Sequence, residues 1–121
     1  MTIRTLAASA LVAALAFSAA DAHPRLQTAD PAPGAVLKAS PASLRMTFSE
    51  GLVPQFTGVA VNGTSGAAVA TGPARFGGPD NTSLSIAFRT RLKPGTYNVV
   101  WHAVSVDTHR VKGSYSFRIA R

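Results

Sequence analysis

Proline and glycine interrupt this chain at short intervals from His23 to its end, and no other feature constrains the fold as strongly. All eight prolines and all ten glycines lie in that stretch, and β-branched or other apolar residues fill the gaps between them. Both residue types weaken a helix interior, and from His23 on no window of about 12 residues has the pattern of a good helix. We therefore predict an all-β domain, a sandwich or barrel of short strands.

Apolar residues alternate along several segments, as expected for strands with one buried face. In one of them Leu44, Met46 and Phe48 share the face that we expect to be buried. The predicted strands cover residues 23–28, 43–48, 57–61, 67–71, 84–88, 97–106 and 113–119, with a loop over 76–81.

The turn at Pro94-Gly95 is the sharpest structural signal in the chain. Such a pair suits a turn in which glycine takes the positive φ angle. Tyr97 follows directly, at the start of a long strand, which is typical of the tyrosine corner of Greek-key sandwiches. The alternation also places Trp101 and Ala103 with Tyr97 on the core face of that strand.

The first 22 residues are typical of a secretory signal peptide rather than of the folded domain. Arg4 gives a positive start, residues 6–20 are apolar, and Ala20-Asp21-Ala22 offers small residues before a cleavage point. The apolar run is short for a membrane span, which needs about 20 residues, although an uncleaved anchor is the alternative. We expect a mature domain of residues 23–121, without a membrane span.

Composition limits both the binding partners that we expect and the side chains that could act as metal ligands. The net charge is +7, but the basic residues are scattered, so we interpret most of them as solvated surface charges and predict no nucleic-acid partner. The chain has no cysteine. Disulfides and thiolate ligands are therefore excluded, and a metal site must use imidazole, carboxylate, thioether or the terminal amine.

Asp107 and His109 form the first part of a candidate metal site. On an extended chain, residues two apart point the same way, with attachment points about 6–7 Å apart. A single Asp-x-His pair supplies too few ligands for tight binding, and two polar residues in a surface loop are the simpler interpretation. Further donors must come from elsewhere in the chain.

His23 supplies them if cleavage after Ala22 makes it the N-terminal residue. It then carries an α-amine beside its imidazole, and both can chelate one ion. Pro24 has no backbone N–H, so a bound Cu(II) ion cannot recruit that amide. Asp107 and His109 could fill the remaining positions, and nitrogen and oxygen donors in one plane favour Cu(II), whereas Zn(II) prefers a tetrahedron.

Together these motifs resemble the CopC-type periplasmic copper-resistance proteins across the whole predicted domain. The resemblance implies a Greek-key β-sandwich or barrel, with immunoglobulin-like and cupredoxin-like topologies both open. It also implies a periplasmic Cu(II) carrier or buffer, not an enzyme, that works beside a CopD-type inner-membrane protein. The motifs are His-Pro after the leader, Pro-x-Pro-Gly, Phe-Ser-Glu at 48–50, and Pro-Gly-Thr-Tyr…Trp…Val-Ser-x-Asp-Thr-His…Gly.

The same resemblance assigns the site residues. It places the copper ligands on His23, Asp107 and His109, and puts Glu50 near the metal as an axial ligand or a supporting partner. An exposed acid at a bend is the other interpretation of Glu50. The opposite strand parity of His102 leaves it outside the ligand set.

The sequence departs from those members that carry a second, Cu(I) site rich in methionine. Met46 is the only methionine after the leader, and its alternation with Leu44 and Phe48 predicts a core position. Thioether is the soft ligand that Cu(I) prefers. We therefore predict one Cu(II) site and no dedicated Cu(I) site.

Three alternatives remain open at this stage. Cleavage after Ala20 would place His23 third, where amine, amides and imidazole bind Cu(II) without Asp107 or His109. A copper held by an N-terminal histidine also resembles oxidative polysaccharide-cleaving enzymes, although a carboxylate ligand would occupy the position that oxygen needs. A metal-free immunoglobulin-like binding module is the general alternative for a small exported sandwich.

Overall fold

Within residues 23–121, eight strands form two four-stranded sheets that face each other across the core. The structure is a computed structural model that describes residues 23–121, so the predicted signal peptide falls outside the described residues. The strands are β1 (Leu26–Asp30), β2 (Val36–Leu37), β3 (Ser43–Phe48), β4 (Gly58–Asn62), β5 (Arg75–Gly77), β6 (Ser83–Ala87), β7 (Gly95–Val104) and β8 (Arg110–Ile119). Two 3₁₀ turns, Pro54–Phe56 and Pro79–Asn81, complete the elements.

The strand order confirms the predicted fold class. One sheet has the order β1-β3-β6-β5 and the other β2-β8-β7-β4. The two-residue β2 pairs in parallel with β8, and the other strand pairs are antiparallel. This is the immunoglobulin-like arrangement of a β-sandwich. Among residues 23–121, no helix is long and apolar enough to cross a membrane.

The core lies between the sheets and uses the faces that alternation predicts. Leu44, Met46 and Phe48 of β3 are at most 2% exposed, which confirms Met46 as a core residue. The Phe48 ring meets Trp101 of β7 edge to face, with centroids 5.2 Å apart. Aromatic pairs of this geometry stabilise a core beyond their buried area.

The predicted tyrosine corner is also confirmed. Tyr97 lies at the start of β7, and its hydroxyl donates a hydrogen bond of 2.6 Å to the backbone oxygen of Lys93. The ring stacks on Phe117 of β8 at 5.5 Å. The corner therefore fixes the chain reversal that leads into the longest hairpin of the fold, β7–β8.

The region 67–81 differs from expectation. The stretch 67–71 is not a strand, and only isolated bridges from Ala68 to Asn62 and from Thr71 to Phe88 tie it to the sheets. A strand, β5, instead lies partly inside the predicted 76–81 loop and pairs with β6. Glycine and alanine dominate this region, so its sequence carries little of the alternation that reports a buried face.

Tyr115 gives a prediction about alkaline stability. Its hydroxyl donates to the backbone oxygen of Pro31 at 2.9 Å, and burial, with the nearby Asp30 carboxylate, raises the pKa of Tyr115 well above its ordinary value. The unfolded chain ionises first, so the free energy of unfolding should fall as pH rises above about 10. Tyr115→Phe should reduce that fall and cost about 1 kcal/mol near neutrality. Urea unfolding of both proteins, near neutral pH and above about pH 10, measures these changes. If the free energy of unfolding fell equally with pH in the parent and in Tyr115→Phe, the prediction would be contradicted.

Candidate metal centre

The tip of the β7–β8 hairpin is a tight turn of residues 105–109. Val104 and Arg110 form the last pair of the ladder. Beyond them, the amide of Thr108 donates to the oxygen of Ser105, and the amide of Ser105 donates to the oxygen of His109, both at 2.9 Å. Thr108 has a φ of 73°. A three-residue turn that ends in a left-handed residue is a common hairpin connection, usually with glycine at that position.

The turn corrects the predicted geometry of the Asp-x-His pair. Asp107 and His109 do not lie on an extended chain, and β8 begins at Arg110 rather than at Gly113. The two side chains nevertheless meet on one side of the tip, because the turn folds them together. The sequence spacing therefore predicted the right neighbours for the wrong reason.

Ser105 holds the two residues in place from beneath. It is fully buried, and its hydroxyl donates to Oδ1 of Asp107 and accepts a 3.3 Å hydrogen bond from the amide of His109. This hydroxyl, and then the His109 side chain, hold the pKa of the Asp107 carboxyl below its usual value. Asp107 is therefore kept as a carboxylate, which is the form that binds a metal.

His109 presents a ring nitrogen that suits a metal ligand. Its Nδ1 lies 3.1 Å from Oδ1 of Asp107. Among the described residues, that buried nitrogen makes no hydrogen bond with acceptable geometry. The rest of the side chain is 41% exposed. A buried ring nitrogen without a hydrogen bond is costly, and a metal ion placed between the imidazole and the carboxylate would satisfy it.

One segment, residues 49–53, forms hydrogen bonds both with the start of the domain and with this hairpin tip. On one side, the amide of Ser49 donates to the oxygen of Arg25 at 2.8 Å, and the Ser49 hydroxyl accepts from the Arg25 amide at 2.8 Å. On the other side, the oxygen of Gly51 accepts from the amide of Val106 at 3.0 Å. The segment therefore bridges residues that stand far apart in sequence.

The bridge brings His23 against His109. Their rings are 5.0 Å apart between centroids and nearly perpendicular, at 86°. With metal–nitrogen bonds of about 2 Å, two imidazoles on one ion at a right angle lie roughly 4–5 Å apart. Pro24, the next residue, is fully buried. The ring arrangement thus fits two nitrogen ligands of one ion.

Side chains alone do not make a complete site. Within residues 23–121, no group of three or more His, Cys, Asp or Glu side chains is arranged to hold a metal ion. The contacts form two pairs that share His109, namely His23 with His109 and Asp107 with His109. The side chains of the described residues therefore supply fewer donors than a tight metal site needs.

Glu50 and His102 occupy different surroundings. Glu50 is half-buried in the bend between Ser49 and Gly51, within the bridging segment. His102 lies on the exposed face of β7, opposite Trp101, where its ring covers Gly58 of the neighbouring strand. A Cβ added to Gly58 would be 2.9 Å from the ring. His102 is therefore outside the cluster, as its strand parity predicts.

Sequence reasoning missed Ser105 and the bridging role of 49–53. The available signal for Ser105 was its position two residues before Asp107, at the same parity. Apart from the Ser49 hydroxyl, the bridge left no signal, because its other contacts are backbone hydrogen bonds, which do not depend on the side chains of the segment. Thr108 likewise gave no sign of its left-handed conformation.

Comparison with known proteins places the chain among copper-resistance proteins. The CopC domain family matches residues 26–120. The chain is 39% identical over 122 residues to the copper resistance protein C of Pseudomonas syringae pv. tomato, covering 97% of this chain and 93% of that protein.

Two solved structures have the same fold over 81% of this chain. PcoC, a methionine-rich copper resistance protein from Escherichia coli, superposes with a TM-score of 0.73 at 35% identity and is covered to 99%. CopC from Methylosinus trichosporium OB3b superposes with a TM-score of 0.74 at 26% identity and is covered to 94%. The similarity therefore extends over nearly the whole of both proteins.

Proposed function

This chain belongs to the CopC family, which comprises copper-binding resistance proteins and not enzymes, and we propose that it holds one Cu(II) ion at the tip of the β7–β8 hairpin. The ligands would be the amine and imidazole of a processed His23, the carboxylate of Asp107 and the imidazole of His109. Glu50 would be an axial ligand or would support the site from the bridging segment. The protein would act as a copper carrier or buffer in copper homeostasis and resistance.

The juxtaposition of His23 and His109 is the observation that carries this proposal. Their perpendicular rings are 5.0 Å apart between centroids, and Oδ1 of Asp107 lies 3.1 Å from Nδ1 of His109, so His109 has a nitrogen donor and an oxygen donor as neighbours. Nitrogen and oxygen donors in one plane favour Cu(II) over Zn(II), because Zn(II) prefers a tetrahedral set of ligands. Pro24 supports an amine-and-imidazole grip, because it offers no amide proton for the metal to displace.

Met46 supports a single site. It is fully buried in β3 and forms part of the core, away from any ligand role. The related PcoC is described as methionine-rich, whereas this chain has one methionine after the leader. A soft thioether cluster for Cu(I) is therefore not proposed. Binding of a second copper as Cu(I), with an affinity similar to the first, would contradict the one-site proposal.

The proposed compartment is the periplasm, reached through the signal peptide of residues 1–22. The CopC-type proteins that the chain resembles work beside a CopD-type inner-membrane protein, so we propose a protein of that type as the partner. Cleavage after Ala22 is part of the proposal, since the α-amine exists only after it. The precursor would then not form the site.

His109→Ala tests the ligand set, with His102→Ala as the matched control. Removing a residue that only supports a metal ligand typically lowers metal affinity by about 10–100-fold, and removing the ligand itself should lower it more. We therefore expect His109→Ala to weaken Cu(II) binding by about 100-fold or more. His102→Ala should change it by less than about threefold, because that ring lies outside the cluster. Competition titrations of correctly processed protein measure both values.

Thermal unfolding provides an independent readout of the same variants. A ligand that binds only the folded state raises the melting temperature. Copper should stabilise the parent and the His102→Ala variant and should have little effect on His109→Ala. Equal copper affinities and equal shifts in all three proteins would rule out this site, and no shift with copper in any of them would favour a metal-free binding module.

A further inference from the structure

A groove runs along the outer face of the sheet directly beside the proposed copper site. Its floor includes His102 and Val104 at the end of β7, and Arg110 and Lys112 at the start of β8. His102 is paired with Lys112 and Val104 with Arg110 across the hairpin. Phe56, on the 3₁₀ turn Pro54–Phe56, contributes to the lining, and the volume is about 580 Å³.

The lining combines apolar surface with unpaired positive charge. Phe56 is 58% exposed, which is unusual for a side chain of its size, and Val53 and Val104 extend the apolar surface beside it. Arg110 and Lys112 are exposed, and no acidic side chain among residues 23–121 forms an ion pair with them. An apolar floor with charged residues at its edge is the usual composition of a binding site.

The groove and the metal site share the hairpin tip. Thr108 lines the groove, and its neighbours Asp107 and His109 belong to the proposed copper site. Val53, the last residue of the bridging segment, lines the groove as well, and its amide donates to the oxygen of Val104 at 2.8 Å. A molecule seated in the groove would therefore lie next to the bound copper.

We propose that this groove docks an acidic segment of a partner protein that exchanges copper with this chain. An apolar side chain of the segment would pack on Phe56 and Val53, and flanking carboxylates would pair with Arg110 and Lys112. The proposal that docking serves copper exchange rests on the proposed function, but docking of the segment does not itself require a bound metal. The net charge of +7 draws an acidic partner towards the protein and opposes association with a second copy.

The docking test uses metal-free protein, so that its outcome does not depend on the copper site. The probe is a capped decapeptide in which Asp and Glu alternate with Leu and Phe, titrated into ¹⁵N-labelled protein and followed by amide chemical shifts. Two comparison peptides carry Lys in place of every acid, or Ser in place of every apolar residue. The acidic apolar peptide should shift amides around Phe56, Val104 and Lys112, and each comparison peptide should bind about tenfold more weakly or not at all.

Charge reversal at the edge of the groove is the second arm. The double variant Arg110→Glu, Lys112→Glu should weaken peptide binding about tenfold or more, because like charges would then face each other. Arg45→Glu with Arg75→Glu makes the same change in net charge on exposed positions of the other sheet and should have a much smaller effect. Phe56→Ser should also weaken binding without unfolding, since that ring is largely exposed.

Several results would overturn the proposal. One is an equal loss in the two charge-reversed proteins, and another is equal binding of the three peptides. Binding through the groove to vesicles of phosphatidylglycerol and phosphatidylcholine (1:1), with no peptide binding, would assign it to a membrane surface instead. Self-association abolished by Phe56→Ser would assign it to a second copy. If peptide docking occurs but copper affinity is unchanged by His109→Ala, docking stands and the copper proposal fails.

Discussion

A single methionine placed before His23 is expected to abolish tight Cu(II) binding. The extension converts the α-amine of His23 into an amide, so the amine–imidazole chelate is lost. Three separate side chains, His23, Asp107 and His109, would remain. Joining two donors in one residue raises their effective concentration, and gains of 10²–10⁴ are typical of linked binding groups. We therefore expect a loss of about 100-fold or more in a competition titration near neutral pH.

The control for this experiment is one methionine added after Arg121, which should leave copper affinity unchanged. Mass spectrometry of the exported protein must first establish that it begins at His23. If it begins at Asp21 instead, His23 would bind copper with the preceding amides, and His109→Ala would have no effect. Equal affinities for the extended and the correctly processed protein would refute the amine as a ligand.

Replacing Gly113 with valine should be among the most destabilising single changes in the domain. Gly113 is paired with Trp101 across the β7–β8 hairpin. The indole lies over the glycine, so an added Cβ would be 2.5 Å from Cζ2 and 2.8 Å from Cε2. Trp101 is 7% exposed and packs against Phe48, so it has little room to move. Overpacking of this kind typically costs about 1–3 kcal/mol, and we expect the upper end.

Ser114→Val is the matched control for that substitution. Ser114 is the next residue of β8, on the exposed face, where a β-branched side chain suits a strand. Its effect should stay within about 0.5 kcal/mol. Urea unfolding followed by the fluorescence of Trp101, the single tryptophan, measures both variants. Similar midpoints for Gly113→Val and Ser114→Val would show that the indole does not need the space above the glycine.

The sequence predicted the fold more completely than the site. Alternation at Leu44, Met46 and Phe48 and the tyrosine after Pro94-Gly95 identified the core faces and the corner, because one-sided burial and turn chemistry are encoded locally. The strand over 67–71 was wrong, since small residues there give no such alternation. His23, Asp107 and His109 were grouped on ligand chemistry and on resemblance, whereas their positions depend on backbone contacts between distant segments.

Other parts of the site could not be read from residue types. The turn at 105–109 depends on Thr108 taking a left-handed conformation that threonine rarely adopts. Spacing alone does not distinguish that turn from a strand. The groove beside it is formed by Phe56 and by the β7–β8 hairpin, which lie far apart in the sequence and meet only in the fold.

The bridging segment at 49–53 has a consequence for the order in which the domain assembles. This segment is hydrogen-bonded both to the first residues of the domain and to the last hairpin. The arrangement of the candidate site therefore depends on contacts between residues that are far apart in the sequence. Such contacts form late, after the entropy of closing long loops has been offset by other packing. The copper site that we propose would therefore be among the last parts of the domain to form, and bound copper would mark a domain that has completed its folding.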